Sequence, residues 1–245
     1  MNLQSLSSFW TLLFVSALFL VVARYLHHQL QGLLLVLIPN RKAALIIYAF
    51  LFFPGVLIHE GSHFLMAKIS GVPTGKFSLL PEILPGNKLR FGYVVTAKKD
   101  IFRNFLVGTA PLIFGCLCLW GLGSYLFDKT GFFSGKLQLS EFYPMFLQLF
   151  SSPLNLLLGY LLFVISSMMF PSETDRKTWL PLGIFLGLIL AVIFFTGQND
   201  FLYSVYLFLE NLLNQLAWIF GLSLFLHLLV LFPVGLLRLF SKVLV

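Results

Sequence analysis

The chain has 245 residues, 59% of them hydrophobic and only 10% charged, whereas a soluble domain carries about a quarter charged residues; this composition excludes an ordinary water-soluble fold. The formal charge of +7 does not point to nucleic acid, because the 16 Lys and Arg residues avoid the apolar runs and gather between them, the pattern of membrane topology. The only two cysteines, Cys116 and Cys118, lie inside an apolar run, so neither a disulfide framework nor a cysteine-based zinc site is available.

Apolar runs near the ~18 to 20 residues needed to cross a bilayer recur at 9–22, 43–66, 105–127, 154–170, 180–196 and 213–234. They predict an all-α polytopic membrane protein of about six transmembrane helices, a single domain over 1–245 with its core at 43–178. No Lys or Arg precedes the first run, so it reads as a retained span and not a cleavable signal. Residues 29–38 are apolar but too short to span, and are expected to be interfacial or re-entrant. The polar stretch 71–100 has Gly, Pro and Asn punctuation around 76–80 and 89–97, which predicts a small cytoplasmic-side β-hairpin between the second and third spans.

With six spans, the connections alternate between two faces. Lys68, Lys76, Lys88, Arg90, Lys98, Lys99, Arg103, Arg176, Lys177, Arg238 and Lys242 fall on one face, eleven in all, against five (Arg24, Arg41, Lys42, Lys129 and Lys136) on the other. The positive-inside rule makes the richer face cytoplasmic, with both termini on it. The first connection, with three basic residues against none in the N-terminal tail, runs against this locally.

The second run contains His59-Glu60-Gly61-Ser62-His63, an HExxH pattern. At 3.6 residues per turn the two histidines stack on one helix face, where two imidazoles can grip one metal ion. Glu60 stands about 100° round the helix, placed to take a proton from metal-bound water and pass it to a leaving amine. Ionisable residues inside a span are costly, about 2.5 to 3.5 kcal/mol for a central charge, and mark function. The bland alternative is neutral histidines and a protonated Glu60 acting as polar glue between helices.

Zinc on two histidines needs a third protein ligand and leaves a fourth position for water. His63 lies near the cytoplasmic end of its span, with His59 about 13 Å along the axis from Lys68 at 1.5 Å per residue, so the partner must reach that depth from the same side. The end of the fourth run delivers Glu173 and Asp175; Asp175 is the first candidate and Glu173 the second. Ser172 to Asp175 also has the form of a helix capping box, which needs no metal. Lone His227 is expected to hydrogen-bond within the bundle, and His27 and His28 to be solvated at an interface. Pro54 and Gly55, one turn before His59, either loosen the helix to admit water or are ordinary membrane-helix irregularity. The 29 Phe read as lipid-facing and packing surface.

The segment FPGVLIHEGSHFLMAKISGV, together with GTAPL at 108–112 and Ser166 to Asp175, resembles the site-2 protease family of intramembrane zinc metalloproteases. The resemblance implies His59 and His63 as zinc ligands, Glu60 as catalytic base, Asp175 as third ligand, and GTAPL as a helix start. Where the family usually has Leu-Asp-Gly after an Asn and Pro segment, this chain has Thr174-Asp175-Arg176 after Ser167 and Pro171. The resemblance further implies a transmembrane protein substrate, unwound to pair with a β-edge for which 89–97 is the candidate; no PDZ-like insertion is present. The expected setting is a prokaryotic cytoplasmic membrane with the active site towards the cytoplasmic face.

The competing class is a catalytically inactive metal-binding membrane protein, either a pseudo-protease scaffold or a metal transporter. Transport favours polar residues spread across the membrane depth, whereas here acids and histidines gather near one face. A CAAX-processing type of protease would take a later Glu as ligand, but Glu210 in FLENLLNQ lacks the acid-rich surroundings.

Overall fold

Lipid offers the main chain no partners, so long apolar runs close their hydrogen bonds internally as helices. The computed structural model describes residues 7–85, 88–127, 139–179, 188 and 199–243. Its helices are α1 (Ser7–Leu37), α2 (Arg41–Leu51), α3 (Phe53–Ile69), α4 (Ile101–Phe127), α5 (Phe142–Leu149), α6 (Pro153–Met168) and α7 (Asn199–Val243), with strands β1 (Thr74–Ser78), β2 (Glu82–Leu84), β3 (Lys88–Arg90) and β4 (Tyr93–Thr96) between α3 and α4. Among the described residues, three helical stretches are each long and apolar enough to cross a membrane: Ser8–Leu37, Ile101–Phe127 and Tyr203–Phe240. Two bent pairs, α2 with α3 at 66° and α5 with α6 at 120°, pass the same test together, giving up to five spans. The expected span at 180–196 lies outside the described residues apart from residue 188.

Helix α1 carries a buried stripe, Val15, Phe19, Ala23, Leu26, Leu30 and Leu33, while Phe9, Trp10, Phe14, Val21 and Tyr25 on other faces are exposed. A stripe spaced by threes and fours packs on neighbouring helices; exposed faces that are also apolar suit lipid. The helix does not stop near residue 22, and residues 29–38 continue it to Leu37 as one rod, correcting the interfacial reading. The polar residues that suggested an interruption find partners at the sides of the rod. His27 Nδ1 bonds the Tyr48 hydroxyl of α2 and its ring lies 4.7 Å from that of Phe52. Arg238 of α7 bonds Gln29. Of the two histidines expected to be solvated, only His28 is exposed.

Helices α1 and α7 run parallel: Phe19 meets Phe220 and His227, while nine and ten residues later His28 and Gln29 meet Arg238. Phe19 also packs on Phe170, just beyond α6, whereas His27 lies beside Phe52 at the start of α3. The descending ends of α1 and α7 therefore lie together, at the end of the bundle opposite to the residues that follow α6. The expectation that the C-terminus shares the face of Asp175 is thus overturned, and the count of eleven against five loses Arg238 and Lys242. A charge count alone could not detect this, because it takes the alternation of faces from the number of spans.

Helix α3 runs alongside α6 in parallel: Tyr160 donates to Leu51 O at 2.7 Å and the Phe52 and Phe163 rings lie 5.8 Å apart. At their closest approach a Cβ on Gly55 would come within 2.2 Å of Val164 O. Gly55 thus serves close packing, and the chain's bend sits at Phe52, between α2 and α3. Helix α4 starts at Ile101 and contains Pro111 well inside it, so GTAPL is not a helix start. The expected hairpin is present in nested form: β1 pairs antiparallel with β4, and β2 with β3 inside it. Phe77 of β1 stacks on Phe64 of α3, with ring centroids 5.3 Å apart, and fixes the hairpin against the motif helix.

Gly55→Ala is expected to lower the stability of the detergent-solubilised protein by about 1 to 3 kcal/mol through overpacking. Gly121→Ala, where an added Cβ meets nothing within 4 Å, should be neutral or slightly stabilising because Ala is the better helix former; thermal unfolding of the two variants checks the contrast.

Candidate metal centre

Two carbonyls deprived of their helical partners build this site. In α4, Pro111 has no N–H to give to the carbonyl four residues back, so Val107 O is left open. Helix α6 ends at Met168, whose carbonyl is likewise unpaired within the helix; the N–H four residues on, that of Ser172, goes instead to Asp175 Oδ2 at 2.8 Å. His63 Nδ1 donates to Val107 O at 2.8 Å, and His59 Nδ1 donates to Met168 O at 2.6 Å. A carbonyl oxygen only accepts, so each Nδ1 carries the proton and each neutral ring keeps its Nε2 lone pair free.

The third member comes from the 3-10 turn Asp175–Thr178. Asp175 Oδ2 lies 3.6 Å from His63 Nε2, and one ligand atom from each of His59, His63 and Asp175 lies within 4.8 Å of the others. Two ligands at 2.0 to 2.1 Å on a tetrahedral ion stand about 3.4 Å apart. The His63–Asp175 pair is already near that separation, and the other pairs exceed it by at most about 1.4 Å. Two imidazoles held through Nδ1 on carbonyls, plus a carboxylate, are a donor set that fits zinc. Glu173, the second candidate, is exposed and lies outside this group.

Asp175 is held by a reciprocal pair: Ser172 N–H and hydroxyl donate to its carboxylate at 2.8 and 2.6 Å, and its own N–H donates to Ser172 Oγ at 3.3 Å. The capping-box reading of Ser172 to Asp175 therefore holds at the same time as the juxtaposition with His63. Burial alone would raise the Asp175 carboxyl, yet the nearby His63 and the hydrogen bonds from Ser172 bring it below its ordinary value, so it is an anion at neutral pH. Gly108 on α4 makes room for this turn, since a Cβ there would come within 2.4 Å of Asp175 O.

Glu60 is half-buried beside the cluster, with the Arg90 guanidinium and the main chain of Val94 among its electrostatic neighbours. A cavity of about 370 Å³ is lined by the three candidate ligands, Glu60, Arg90 and residues of β4. Arg90, which stacks over Tyr93 at 3.8 Å, had no signal in the sequence beyond its place in the hairpin. A separate cavity of about 290 Å³ near Leu30, Leu51 and Phe163 is lined by apolar residues and Tyr160, whose hydroxyl is engaged with Leu51 O. His227 is fully buried on α7 and hydrogen-bonded within the bundle, as expected, and is not one of the clustered residues. Glu210 accepts from Tyr206 at 2.7 Å and is not in the cluster either. Comparison with protein-family models, curated proteins and solved structures gives no match to this chain.

Elemental analysis of purified protein is expected to find about one zinc per chain in the wild type and none in His59→Ala or Asp175→Ala; zinc retained in Asp175→Ala would move the third ligand elsewhere. Gly108→Ala should weaken zinc binding by displacing the Asp175 main chain, which a chelator competition would read as a raised Kd.

Proposed function

We propose that this chain is an intramembrane zinc metalloprotease of the site-2 protease kind, cleaving peptide bonds in transmembrane or membrane-proximal segments of protein substrates within the lipid bilayer. The observation that carries the reading is the shared aim of the motif histidines. Both give Nδ1–H to main-chain carbonyls, and both present Nε2 to a point that Asp175 also faces, with Glu60 beside it. Polar glue between helices would not call for two free lone pairs converging with a carboxylate.

Zinc bound there supplies Lewis acidity, polarising the scissile carbonyl and lowering the pKa of a water towards ~7. Glu60 accepts a proton from the attacking water, whose hydroxyl joins the acyl carbon; the C–N bond breaks as Glu60 returns the proton to the leaving nitrogen. His63 and His59 keep their orientation throughout because their Nδ1 protons are engaged with carbonyls. β4 is paired with β1 alone among the described residues and lines the cavity through Tyr93, Val94 and Thr96. An extended substrate segment can add to that edge by main-chain hydrogen bonding, bringing its peptide bond alongside Glu60. Lys98, Lys99 and Arg103 at the start of α4, with Arg176 and Lys177 after Asp175, support a cytoplasmic location for this end in a prokaryotic membrane.

The test is cleavage of a transmembrane peptide by the protein in proteoliposomes. Glu60→Gln is expected to lower kcat by about 10² to 10⁴-fold, the range for a lost general base, while retaining zinc; chelation should abolish activity and added zinc restore it. A wild type that holds zinc and cleaves no transmembrane peptide would make the chain a non-enzymatic metal-binding membrane protein.

A further inference from the structure

We propose that His227, more than 160 residues away in sequence from the HExxH motif, is a positioning residue for the metal centre, acting through Ser167 and the Met168 carbonyl; the inference rests on the zinc reading above. His227 is fully buried on α7, with its ring 4.8 Å from those of both Phe19 and Phe163. Its Nδ1 lies 2.7 Å from Ser223 O, a group that only accepts, so Nδ1 carries the proton and Nε2 of the neutral ring is an acceptor. Nε2 stands 2.9 Å from Ser167 Oγ. The serine hydroxyl therefore donates to His227, sharing its single proton with Phe163 O at 2.8 Å.

Ser167 occupies the last turn of α6, one residue before the carbonyl that fixes His59. The last carbonyls of a helix have no partners of their own within it, and helix ends fray. Here the terminal turn is held by apolar packing, including Phe170 on Phe19 and Phe220, and by one polar tie. Met169 packs where a Cβ on Gly115 of α4 would come within 2.5 Å of it, and Ser167 is tied to α7 by His227. Without His227 the Ser167 hydroxyl would fall back on Phe163 O alone, as a serine inside any helix does, and the polar link of Ser167 to α7 would be lost. A turn released from that tie can shift Met168 O, and with that oxygen the ring plane of His59. The direction of the His59 Nε2 lone pair is thus set by a continuous run of hydrogen bonds and one peptide unit that begins at Ser223 O.

Zinc affinity by chelator competition and the visible spectrum of the cobalt-substituted protein test this on the full-length chain, comparing wild type, His59→Ala, Ser167→Ala and His227→Leu. Partners that orient metal ligands change affinity by about 10- to 100-fold, and His227 acts one step further out, so a loss of about tenfold is expected in Ser167→Ala and His227→Leu. A changed cobalt spectrum is expected with it, reporting a reoriented ligand. A purely structural role would lower the thermal stability of the metal-free protein and leave the cobalt spectrum as in wild type. Wild-type affinity and spectrum in Ser167→Ala would overturn the positioning role even if His227→Leu fails to fold, while leaving the zinc site intact provided His59→Ala has lost metal. A wild type that binds neither metal would overturn both readings.

Discussion

A carbonyl buried among membrane helices needs a donor, because the lipid around it has none to give. Two carbonyls beside the motif helix are denied their usual donors by local sequence: Val107 O by Pro111 four residues on, and Met168 O by the end of α6. Each is then satisfied by the Nδ1–H of an HExxH histidine. The same bond that repairs the helix defect selects the tautomer of the ring and turns its other nitrogen away from the carbonyl. Because α4 and α6 both pack against α3, the two repairs fix both imidazoles at once.

Asp175 shows the same economy. Ser172 and Asp175 cap a short turn with reciprocal hydrogen bonds, a purely local arrangement that a helix start can form without a metal. That arrangement also points the carboxylate towards His63, since the oxygen that accepts from Ser172 is the one 3.6 Å from His63 Nε2. Gly108 completes the placement by letting the turn come within van der Waals range of α4. Structural and metal-binding readings of these residues therefore describe one geometry, and the cap preorganises the acid for its partner histidine.

The sequence made some of this legible and concealed the rest for physical reasons. The clustering of His59 and His63 follows from helical periodicity alone, and matching the depth of two span ends narrows the third candidate ligand to Asp175 and Glu173; neither step needs tertiary detail. The length of α1 was hidden because Arg24, His27, His28 and Gln29 look like an interface, and only packing against Tyr48 and Arg238 reveals that side contacts accommodate such residues within a continuous helix. The function of Pro111 was hidden because a proline reads as a boundary, whereas here its missing N–H matters more than its breaking tendency. The parallel course of α1 and α7 was out of reach, since charge counting assigns faces by parity and the packing of Phe19 and Arg238 is a long-range fact.

Gly55 limits how the centre can be approached along α3. A glycine and proline one turn before the motif suggest a helix that loosens to admit water, but Gly55 sits tight against α6, with no room for even a methyl group. Unwinding α3 there would break the contact that keeps Met168 beside His59. The residues that line the cavity on the other side belong to the nested hairpin, which is held to α3 by Phe64 and Phe77 and carries Arg90 and β4. Hairpin segments are joined by fewer packed contacts than a helix pair and move at lower free-energy cost. On the proposed reading, access falls to the hairpin side, where Glu60 and the β4 edge line one cavity and the carbonyls that hold the two histidines are not involved.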